Sequence, residues 1–205
     1  MSMHSYCFKL ATLPQDVNGY FALRHSIFVE EQGLFEGTDI DPLDAIAYPI
    51  VAIADESETS TEAQIRKDTR QLALPLTHHP VLLTHPTFYR SQMSPVLGVV
   101  RIYEAEPRLW YGGRLGVHQD YRRAGRIGKG LIYKAVTTAN TWGCDRFLAT
   151  VQLQNVRFFQ RQHWHSLEEI TVHGLPHHLM EADLNHYPAG NEQRPAAISF
   201  VREAS

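Results

Sequence analysis

Residues 115–139 decide the fold of this chain, and their sequence is LGVHQDYRRAGRIGKGLIYKAVTTA. The segment begins as a short apolar strand, continues through a turn rich in glycine and arginine, and ends with helical periodicity. Five apolar side chains share one side of that helix: Ile127, Leu131, Ile132, Ala135 and Ala139. The pattern therefore predicts a strand, a loop and a helix in succession, with the loop at the helix N-terminus.

The loop has the composition of a phosphate-binding site. Its glycines let the backbone come close to a ligand, and the first N–H groups of the helix point toward that ligand. The glycines are Gly125, Gly128 and Gly130, and the cations around them are Arg122, Arg123, Arg126 and Lys129. These features predict a site for a diphosphate. The alternative is a tight turn whose arginines are only solvated.

Length and composition favour one compact domain. The chain has 205 residues, 43% of them hydrophobic, which is enough to bury a core of domain size. The formal net charge is −3 and the pI is about 6.4. Because no basic field covers the whole protein, nucleic acid is excluded as an expected partner.

Cysteine usage and hydropathy predict the compartment. Cys7 and Cys144 are too few for a disulfide framework or a zinc site, which fits a reducing environment. No apolar run reaches the length of a membrane-spanning helix, and no leader is recognisable before Pro14. We therefore expect a cytoplasmic protein with no membrane partner.

Two apolar segments, residues 48–54 and 95–104, are predicted to pair as neighbouring strands. The 55–95 segment between them is far too long for a hairpin loop and is predicted to be an insertion. Its apolar patch packs back on the domain, forms part of the substrate mouth, or makes a subunit contact in a homodimer. His78, His79 and His85 lie there without a nearby cysteine or carboxylate at ligand spacing, so solvated histidines are favoured over a metal site.

Residues 14–28 have the apolar spacing of a helix, and Arg24 falls on the apolar side. A buried guanidinium needs a carboxylate or an anionic ligand, because an unpaired buried charge is costly. Six acidic residues follow: Glu30, Glu31, Glu36, Asp39, Asp41 and Asp44. An ion pair between helix and loop is favoured, and a substrate site is the alternative. The acidic loop also favours a cationic substrate.

The second half of the chain predicts further strands and a short helix. The Gly112-Gly113 pair interrupts the 109–118 strand and indicates a bulge. Residues 146–151 have the pattern of a buried parallel strand, and Asn155 is predicted to cap a helix over 156–163. Residues 167–172 and 177–183 are predicted to form a closing hairpin.

Taken in order, these elements resemble the Gcn5-related N-acetyltransferases, the GNAT superfamily, and the C-terminal part resembles a poorly characterised bacterial subgroup. Residues 115–139 resemble motif A of that family, Arg/Gln-x-x-Gly-x-Gly/Ala, whose backbone amides hold the CoA pyrophosphate. The match is one residue out of register. Starting at Arg122 fits Gly125 but places Ile127 at the second small residue, and starting at Arg123 fits only Gly128. A loop one residue longer reconciles the two.

The resemblance implies an α/β (α+β) fold in a single domain over residues 1–205. Its central twisted sheet is mixed and mostly antiparallel, with flanking helices and splayed strands 4 and 5. The co-substrate is acetyl-CoA or another acyl-CoA, no metal is needed, and the acceptor is a small-molecule amine. The resemblance assigns CoA binding to Leu115, Gly116, Val117, Arg122, Arg123, Gly125, Arg126, Ile127, Gly128, Lys129, Asn155 and Phe159.

The same resemblance implies catalytic roles. The Val117 N–H stabilises the oxyanion. Glu31 ranks first and His118 second as the base that deprotonates the amine. The family's frequent general acid, a tyrosine, is replaced here by Phe159. The reaction tolerates that replacement, because the CoA thiolate can be expelled without a specific acid. The hairpin histidines are ordinary surface residues or include a base in the acceptor groove; they are His173, His177, His178 and His186.

Two other functions stay open. The segment that contains Arg24 and Asp39, Asp41 and Asp44 is also similar to the acyl-homoserine-lactone synthases, which use S-adenosylmethionine and an acyl carrier. The phosphate-binding loop argues against that chemistry, because a carrier-dependent synthase has less need of a diphosphate site. The replacement of the acid by Phe159 favours, as a third hypothesis, a non-catalytic acyl-CoA-binding module.

Overall fold

A computed structural model describes residues 5–54, 95–123, 125–172 and 174–195. These residues form a mixed, mostly antiparallel seven-stranded sheet with the order β1-β2-β3-β4-β5-β7-β6. The strands are β1 (Tyr6–Leu10), β2 (Tyr48–Ala54), β3 (Val96–Glu106), β4 (Leu109–Val117), β5 (Arg146–Gln152), β6 (Trp164–Val172) and β7 (Leu175–Ala182). No helix within the described ranges is long and apolar enough to span a membrane.

Helices cover both faces of the sheet. They are α1 (Pro14–His25), which continues as a π-helical turn over Ser26–Glu31, α2 (Arg126–Thr141) and α3 (Val156–Gln160). Strand β2 is buried on both faces: Ile50 and Ala52 lie in the core under α2, and Val51 lies in the core under α1. The face that carries α1 and the face that carries α2 therefore have separate cores.

Helix α2 buries the apolar side that its periodicity predicted. Ile127, Leu131 and Ala139 are each at most 1% exposed. Gly130, which the sequence placed among the ligand-binding glycines, serves packing instead. A Cβ atom at this position would lie 2.1 Å from the Phe8 ring, so only glycine lets α2 approach β1 this closely.

Strands β2 and β3 pair as predicted, in antiparallel register from Tyr48↔Ile102 to Ile53↔Val96. The predicted insertion between them lies outside the described residues from 55 to 94. The single-domain interpretation of residues 1–205 therefore stays a prediction.

Strand β4 carries a bulge, but not at the glycine pair. Gly112 and Gly113 pair regularly with β3, and the register shifts between Gly113 and Gly116. Arg114, in the shifted segment, has a φ of +52°, a left-handed conformation that is uncommon for arginine. The bulge therefore turns the backbone just where β4 leaves its other neighbour, β5.

Strands β4 and β5 are parallel and separate after a short paired segment. Their register runs from Leu109↔Arg146 to Gly112↔Ala149, and neither the rest of β4 nor the rest of β5 is paired across that edge. This is the splay that the family resemblance implied. The separation exposes backbone N–H and C=O groups on both strands, which are free to bind a ligand.

The last elements differ in their bounds from the sequence prediction. Helix α3 ends at Gln160 rather than at residue 163, and the Asn155 side chain makes no capping hydrogen bond. Strands β6 and β7 pair up to Val172↔Leu175, so the hairpin connection is only two residues long. The turn is tighter than predicted because Leu175 and Pro176 belong to β7 and not to the loop.

Candidate active site

A cavity of about 330 Å³ lies where β4 and β5 separate. Its walls come from both cores. The wall on the α2 face is apolar and includes Ile132, Ala135, Val136, Phe147 and Phe159. The wall on the α1 face is aromatic and cationic and includes Phe28, Phe35, Arg101, Tyr103, Tyr111 and Arg114. The cavity therefore offers room for two different groups that meet at the splay.

The loop before α2 has the geometry of an anion site. Gly125 has a φ of +62° and starts the helix, and its carbonyl accepts the Lys129 N–H at 2.9 Å. The N–H groups of residues 126–128 precede the first helical hydrogen bond and are available to a ligand. Cβ atoms at Gly125 and Gly128 would lie in ordinary contact with the Phe158 ring, 3.4 Å away, so it is the positive φ of Gly125 that favours glycine in this loop.

The cations of this loop divide into two groups. Arg123, Arg126 and Lys129 are exposed, and no carboxylate of the described residues lies within 4.0 Å of them. Arg122 is engaged: its two Nη atoms donate to Glu31 at 2.5 and 2.7 Å, and its Nε donates to the Val117 carbonyl at 2.7 Å. The free cations are thus available to phosphate, whereas Arg122 ties the loop to the end of α1.

This ion pair bears on the first-ranked base. The hydrogen bonds from Arg122 hold the pKa of Glu31 below its usual value. A carboxylate with a lowered pKa is a weaker proton acceptor. Glu31 is absent from the lining of the cavity. Its assignment as the base stays a prediction, and the geometry gives it a structural contact.

The second-ranked base, His118, lies directly after β4. Its side chain is 40% exposed, with Nδ1 3.7 Å from an Asp120 carboxylate oxygen, and it does not line the cavity. The His118 backbone N–H donates to Leu97 of β3 at 2.9 Å. Because successive N–H groups of a strand point to opposite edges, the Val117 N–H points away from β3, toward the splay.

Three of the residues assigned to CoA binding line the cavity: Leu115, Asn155 and Phe159. Phe159 is 7% exposed and packs edge-on against Trp164, with ring centroids 5.1 Å apart. Gly116 has a packing reason as well, since a Cβ there would lie 2.8 Å from Ile27 of the π-helical turn. Ile127 buries its side chain in the core, so only its backbone faces the loop.

Arg24 is fully buried in an ion-pair cluster. Its Nε donates to Asp39 at 2.7 Å, and its Nη1 and Nη2 donate to Asp44 at 2.5 and 3.0 Å. Nη1 also donates to the Tyr20 hydroxyl at 3.1 Å. The favoured interpretation, an ion pair that ties the helix to the loop, is confirmed.

Two further arginines complete this buried cluster. Arg101 donates to both oxygens of Asp41 at 2.7 Å, and Arg114 donates to Asp41 at 3.0 Å and to the Asp39 carbonyl at 2.9 Å. The Arg114 guanidinium also lies 4.3 Å above the Phe35 ring. The cluster therefore fastens the loop after α1 to β3 and to the bulge of β4.

The three carboxylates of the cluster are neutralised by the three arginines. Burial opposes ionisation of Asp41 and Asp44, but hydrogen bonds from Arg101 and Arg24 outweigh it, and the pKa of each carboxyl is lowered. The negative charges of Asp39, Asp41 and Asp44 are thus balanced inside the protein. These aspartates no longer support the cationic substrate that the sequence favoured.

Several residues of the cavity were not assigned from the sequence. The aromatic wall was not predicted, although the alternation of side chains along residues 96–106 puts Arg101 and Tyr103 on one face of β3. Tyr103 and Tyr111 stack with centroids 5.8 Å apart, because they are directly paired across β3 and β4. Strand alternation identified the face, and only strand pairing brought the two rings together. Of the histidines that the sequence singled out, His177 lines the cavity. His78, His79 and His85 lie outside the described residues.

Within the described ranges, no group of three or more His, Cys, Asp and Glu side chains is arranged to hold a metal ion. The expectation that the chain needs no metal stays a prediction.

The family comparison now identifies the class of protein. The sequence matches the model of the acetyltransferase (GNAT) family over residues 52–164, more than half of the chain. This chain therefore belongs to the GNAT acetyltransferase family and is an acyltransferase, of a family that uses acyl-CoA and small-molecule acceptors. No curated protein sequence matches it.

Solved structures share its fold. A proposed N-acetyltransferase from Lactobacillus plantarum has a TM-score of 0.63 at 16% identity, over 87% of this chain and 97% of the other. An acyl-CoA N-acyltransferase from Pseudomonas aeruginosa has a TM-score of 0.58 at 16% identity, over 87% and 99%. BjaI, a CoA-dependent acyl-homoserine lactone synthase solved with SAM and isopentyl-CoA, has a TM-score of 0.56 at 16% identity, over 87% and 82%.

Proposed function

We propose that this acyltransferase moves an acetyl group directly from acetyl-CoA to a primary amine. The observation that carries the proposal is the cavity at the splay of β4 and β5, which has an apolar wall on one face and an aromatic wall on the other. The α2 face lies next to the glycine-rich loop and suits the pantetheine arm. The α1 face suits the amine, which then reaches the thioester through the splay.

The loop holds the CoA pyrophosphate in this proposal. The N–H groups of Arg126, Ile127 and Gly128 donate to it, while the exposed side chains of Arg123, Arg126 and Lys129 neutralise its charge. Gly125, with its positive φ, lets the backbone turn into the helix close to the pyrophosphate. Leu115, Gly116 and Val117 present strand backbone to the pantetheine, with Asn155 and Phe159 at the far wall.

Val117 stabilises the oxyanion. Its N–H points to the splay, so it can donate to the carbonyl oxygen of the thioester as negative charge develops there. A fixed donor of this kind needs no reorganisation when the amine attacks. Removal of one oxyanion donor in other enzymes costs on the order of 10²–10³ in kcat.

Direct attack is favoured over an acyl-enzyme intermediate. The described residues that line the cavity include no cysteine or serine. Cys144 is buried, and burial raises the pKa of its thiol to about 12, so it is not a nucleophile near neutral pH. In the proposed reaction the amine itself therefore attacks the thioester carbon.

The acceptor end favours an amine with an aromatic or apolar body. Phe28, Phe35, Tyr103 and Tyr111 supply its rings, and the arginines beside them already bind the carboxylates of the buried cluster. Aromatic walls bind flat apolar groups through burial and stacking. The described residues that line the cavity include no carboxylate, so a second cationic group on the substrate would find no partner there.

Isothermal titration with acetyl-CoA tests the first half of the proposal, and binding in the micromolar range is expected. The second half is tested by release of free thiol from acetyl-CoA with a panel of aromatic, aliphatic and polycationic primary amines. Faster turnover with aromatic than with polycationic amines is expected. Binding without thiol release from any amine would instead favour a non-catalytic acyl-CoA-binding module.

A second candidate function is lactone synthesis from S-adenosylmethionine. It is favoured by the structural likeness to BjaI and by the Arg24–Asp44 ion pair in the segment that resembles such synthases. Incubation with S-adenosylmethionine and isopentyl-CoA tests it, and formation of an acyl-homoserine lactone would replace the amine acceptor. A cytoplasmic location and a homodimer stay predictions.

A further inference from the structure

Strand β7 places two neighbouring histidines on opposite faces of the sheet. His177 pairs with Gln152 of β5, and His178 pairs with Val151. Val151 belongs to the core under α2, so Gln152 and His177 lie on the other face, the one that carries α1. His177 lines the cavity together with Thr150 and Gln152, and His178 does not.

The tautomer of His177 follows from its hydrogen bond. Its Nδ1 lies 2.9 Å from the Leu175 carbonyl oxygen, which can only accept. In the neutral ring the proton must therefore be on Nδ1, and Nε2 carries the lone pair. A neutral histidine fixed in this way is able to take a proton at Nε2.

His177 also differs from most other described histidines in its charge environment. No carboxylate of the described residues lies within 4.0 Å of its ring. Five other histidines have such a neighbour: His25, His118, His165, His178 and His186. His163, which also has none, stacks on His186 and does not line the cavity. Among the described histidines, His177 is thus the one that lines the cavity, and its ring has no described carboxylate as a neighbour.

Charged and titratable groups reach the same face from several strands. Tyr103 and Tyr111 line the cavity from β3 and β4, along with Arg101 and Arg114, and Glu168 lies on β6 opposite Leu179, two residues from His177 on β7. Farther along this face, Glu181 of β7 is paired with Arg146 of β5 and with His165 of β6. The two arginines are paired with Asp41. Their positive charge is therefore already balanced inside the buried cluster, and the Nε2 lone pair of His177 is a proton-accepting atom that this face of the cavity offers to the amine.

We propose that His177 is the general base of the reaction. The inference rests on the proposed function and assigns the proton transfer to a residue other than Glu31 or His118. As the amine nitrogen forms its bond to the thioester carbon, Nε2 takes one N–H proton. The C–S bond then breaks, its electron pair leaves with sulfur, and the thiolate receives the proton from His177 directly or through water.

The tautomer is tested without any substrate. In the full chain labelled with ¹⁵N-histidine, NMR at neutral pH shows which ring nitrogen of His177 carries the proton, with assignment by comparison to the His177→Gln variant. We expect the proton on Nδ1. A proton on Nε2 would leave no lone pair toward the acceptor and would overturn the inference.

The kinetic test compares His177→Gln with the matched control His178→Gln, whose side chain bonds Ser166 on the opposite face at 2.6 Å. With the best amine of the panel, His177→Gln is expected to lower kcat by about 10²–10⁴-fold, the usual contribution of a general base. The KM for acetyl-CoA should stay unchanged, and the acid limb of the pH–rate profile should disappear. His178→Gln should retain both rate and profile.

The outcomes separate the two proposals. A wild-type chain that releases no thiol with any amine overturns the proposed function, and the inference with it. If the wild type turns over but His177→Gln keeps its rate and its acid limb, the inference alone fails, and Glu31→Gln and His118→Gln in the same assay show which prediction replaces it. Recovery of rate by added imidazole in His177→Ala supports the base role, and a lack of recovery with acetyl-CoA still bound contradicts it.

Discussion

Two groups of cationic residues, one on the α1 face and one at the start of α2, differ in burial and in pairing. On the α1 face, Arg24 and Arg101 are at most 4% exposed and are paired with aspartates. At the start of α2, Arg126 and Lys129 are exposed and free of carboxylate partners among the described residues. The same chemical group thus stabilises the fold in one place and is available to a ligand in the other.

The difference teaches that burial, and not residue type, separates structural from binding arginines. A buried guanidinium must have its charge neutralised inside the protein, since leaving it unpaired is costly. An exposed one stays hydrated and can exchange water for phosphate oxygens. Arg122 lies between these cases, because it is 39% exposed and yet bound to Glu31.

The largest effect is expected from Arg24→Met. The substitution leaves Asp39 and Asp44 buried without their main partner, which typically costs about 3–5 kcal/mol of unfolding free energy. Urea denaturation followed by circular dichroism measures it. The matched control is Arg146→Met, which removes an exposed ion pair to Glu181. A loss for Arg24→Met no greater than for the control would contradict the structural role of the buried cluster.

Acid is expected to weaken the same cluster. Asp41 and Asp44 have lowered pKa values in the folded protein, so they contribute stability above the unfolded carboxyl value of about 3.9. That stability is lost as the pH falls through the lower folded values. Thermal melts from pH 6 down to pH 2 should show the loss, and Asp44→Asn should show a shallower decline. An equal slope in both proteins would be evidence against this linkage.

Removing the exposed cations at the start of α2 should weaken CoA binding and leave the stability of the fold unchanged. Arg126→Gln together with Lys129→Gln is expected to raise the Kd for acetyl-CoA by about tenfold or more, since a charge-assisted contact contributes about 1.5–3 kcal/mol. The melting temperature should hardly change. Isothermal titration at two salt concentrations measures the effect, with Arg108→Gln, paired to Asp145 at the other end of β4, as the control. Unchanged affinity would remove these two side chains from the CoA site.

The smallest effect is expected from Arg122→Gln. Exposed ion pairs typically contribute less than about 1 kcal/mol, so stability should change little. Without its partner, the pKa of Glu31 should rise toward the usual range, because the hydrogen bonds from Arg122 are what lower it. NMR titration of the Glu31 carboxyl measures the shift. A pKa that stays low would show that another group holds the carboxylate.

Local patterns in the sequence were enough for most of the fold. The periodicity of residues 127–139 predicted the buried side of α2, and the apolar segments predicted β2, β3 and the parallel strand β5. These elements follow from the spacing of apolar residues over short segments, which is visible in the sequence itself. The displaced bulge at Arg114 and the short hairpin turn were missed, because they depend on the register between strands.

The candidate site divides in the same way. Glycines and cations at residues 122–130 predicted a phosphate-binding loop, although Gly130 packs on Phe8 and Arg122 bonds Glu31. The residue that transfers the proton was harder to predict from the sequence. His177 was one of four similar histidines, and nothing local set it apart from His178.

What the sequence determined by itself was the order of elements, the glycine-rich loop and hence the family. Only the tertiary structure decided which charged side chains form ion pairs with one another and which side chains face the cavity. Arg24, Arg101 and Arg114 come from three distant segments, and their aspartates from a fourth, so their pairing exists only after the sheet has formed. His177 likewise reaches the cavity only because β7 pairs with β5, which places its side chain beside Gln152 at the splay.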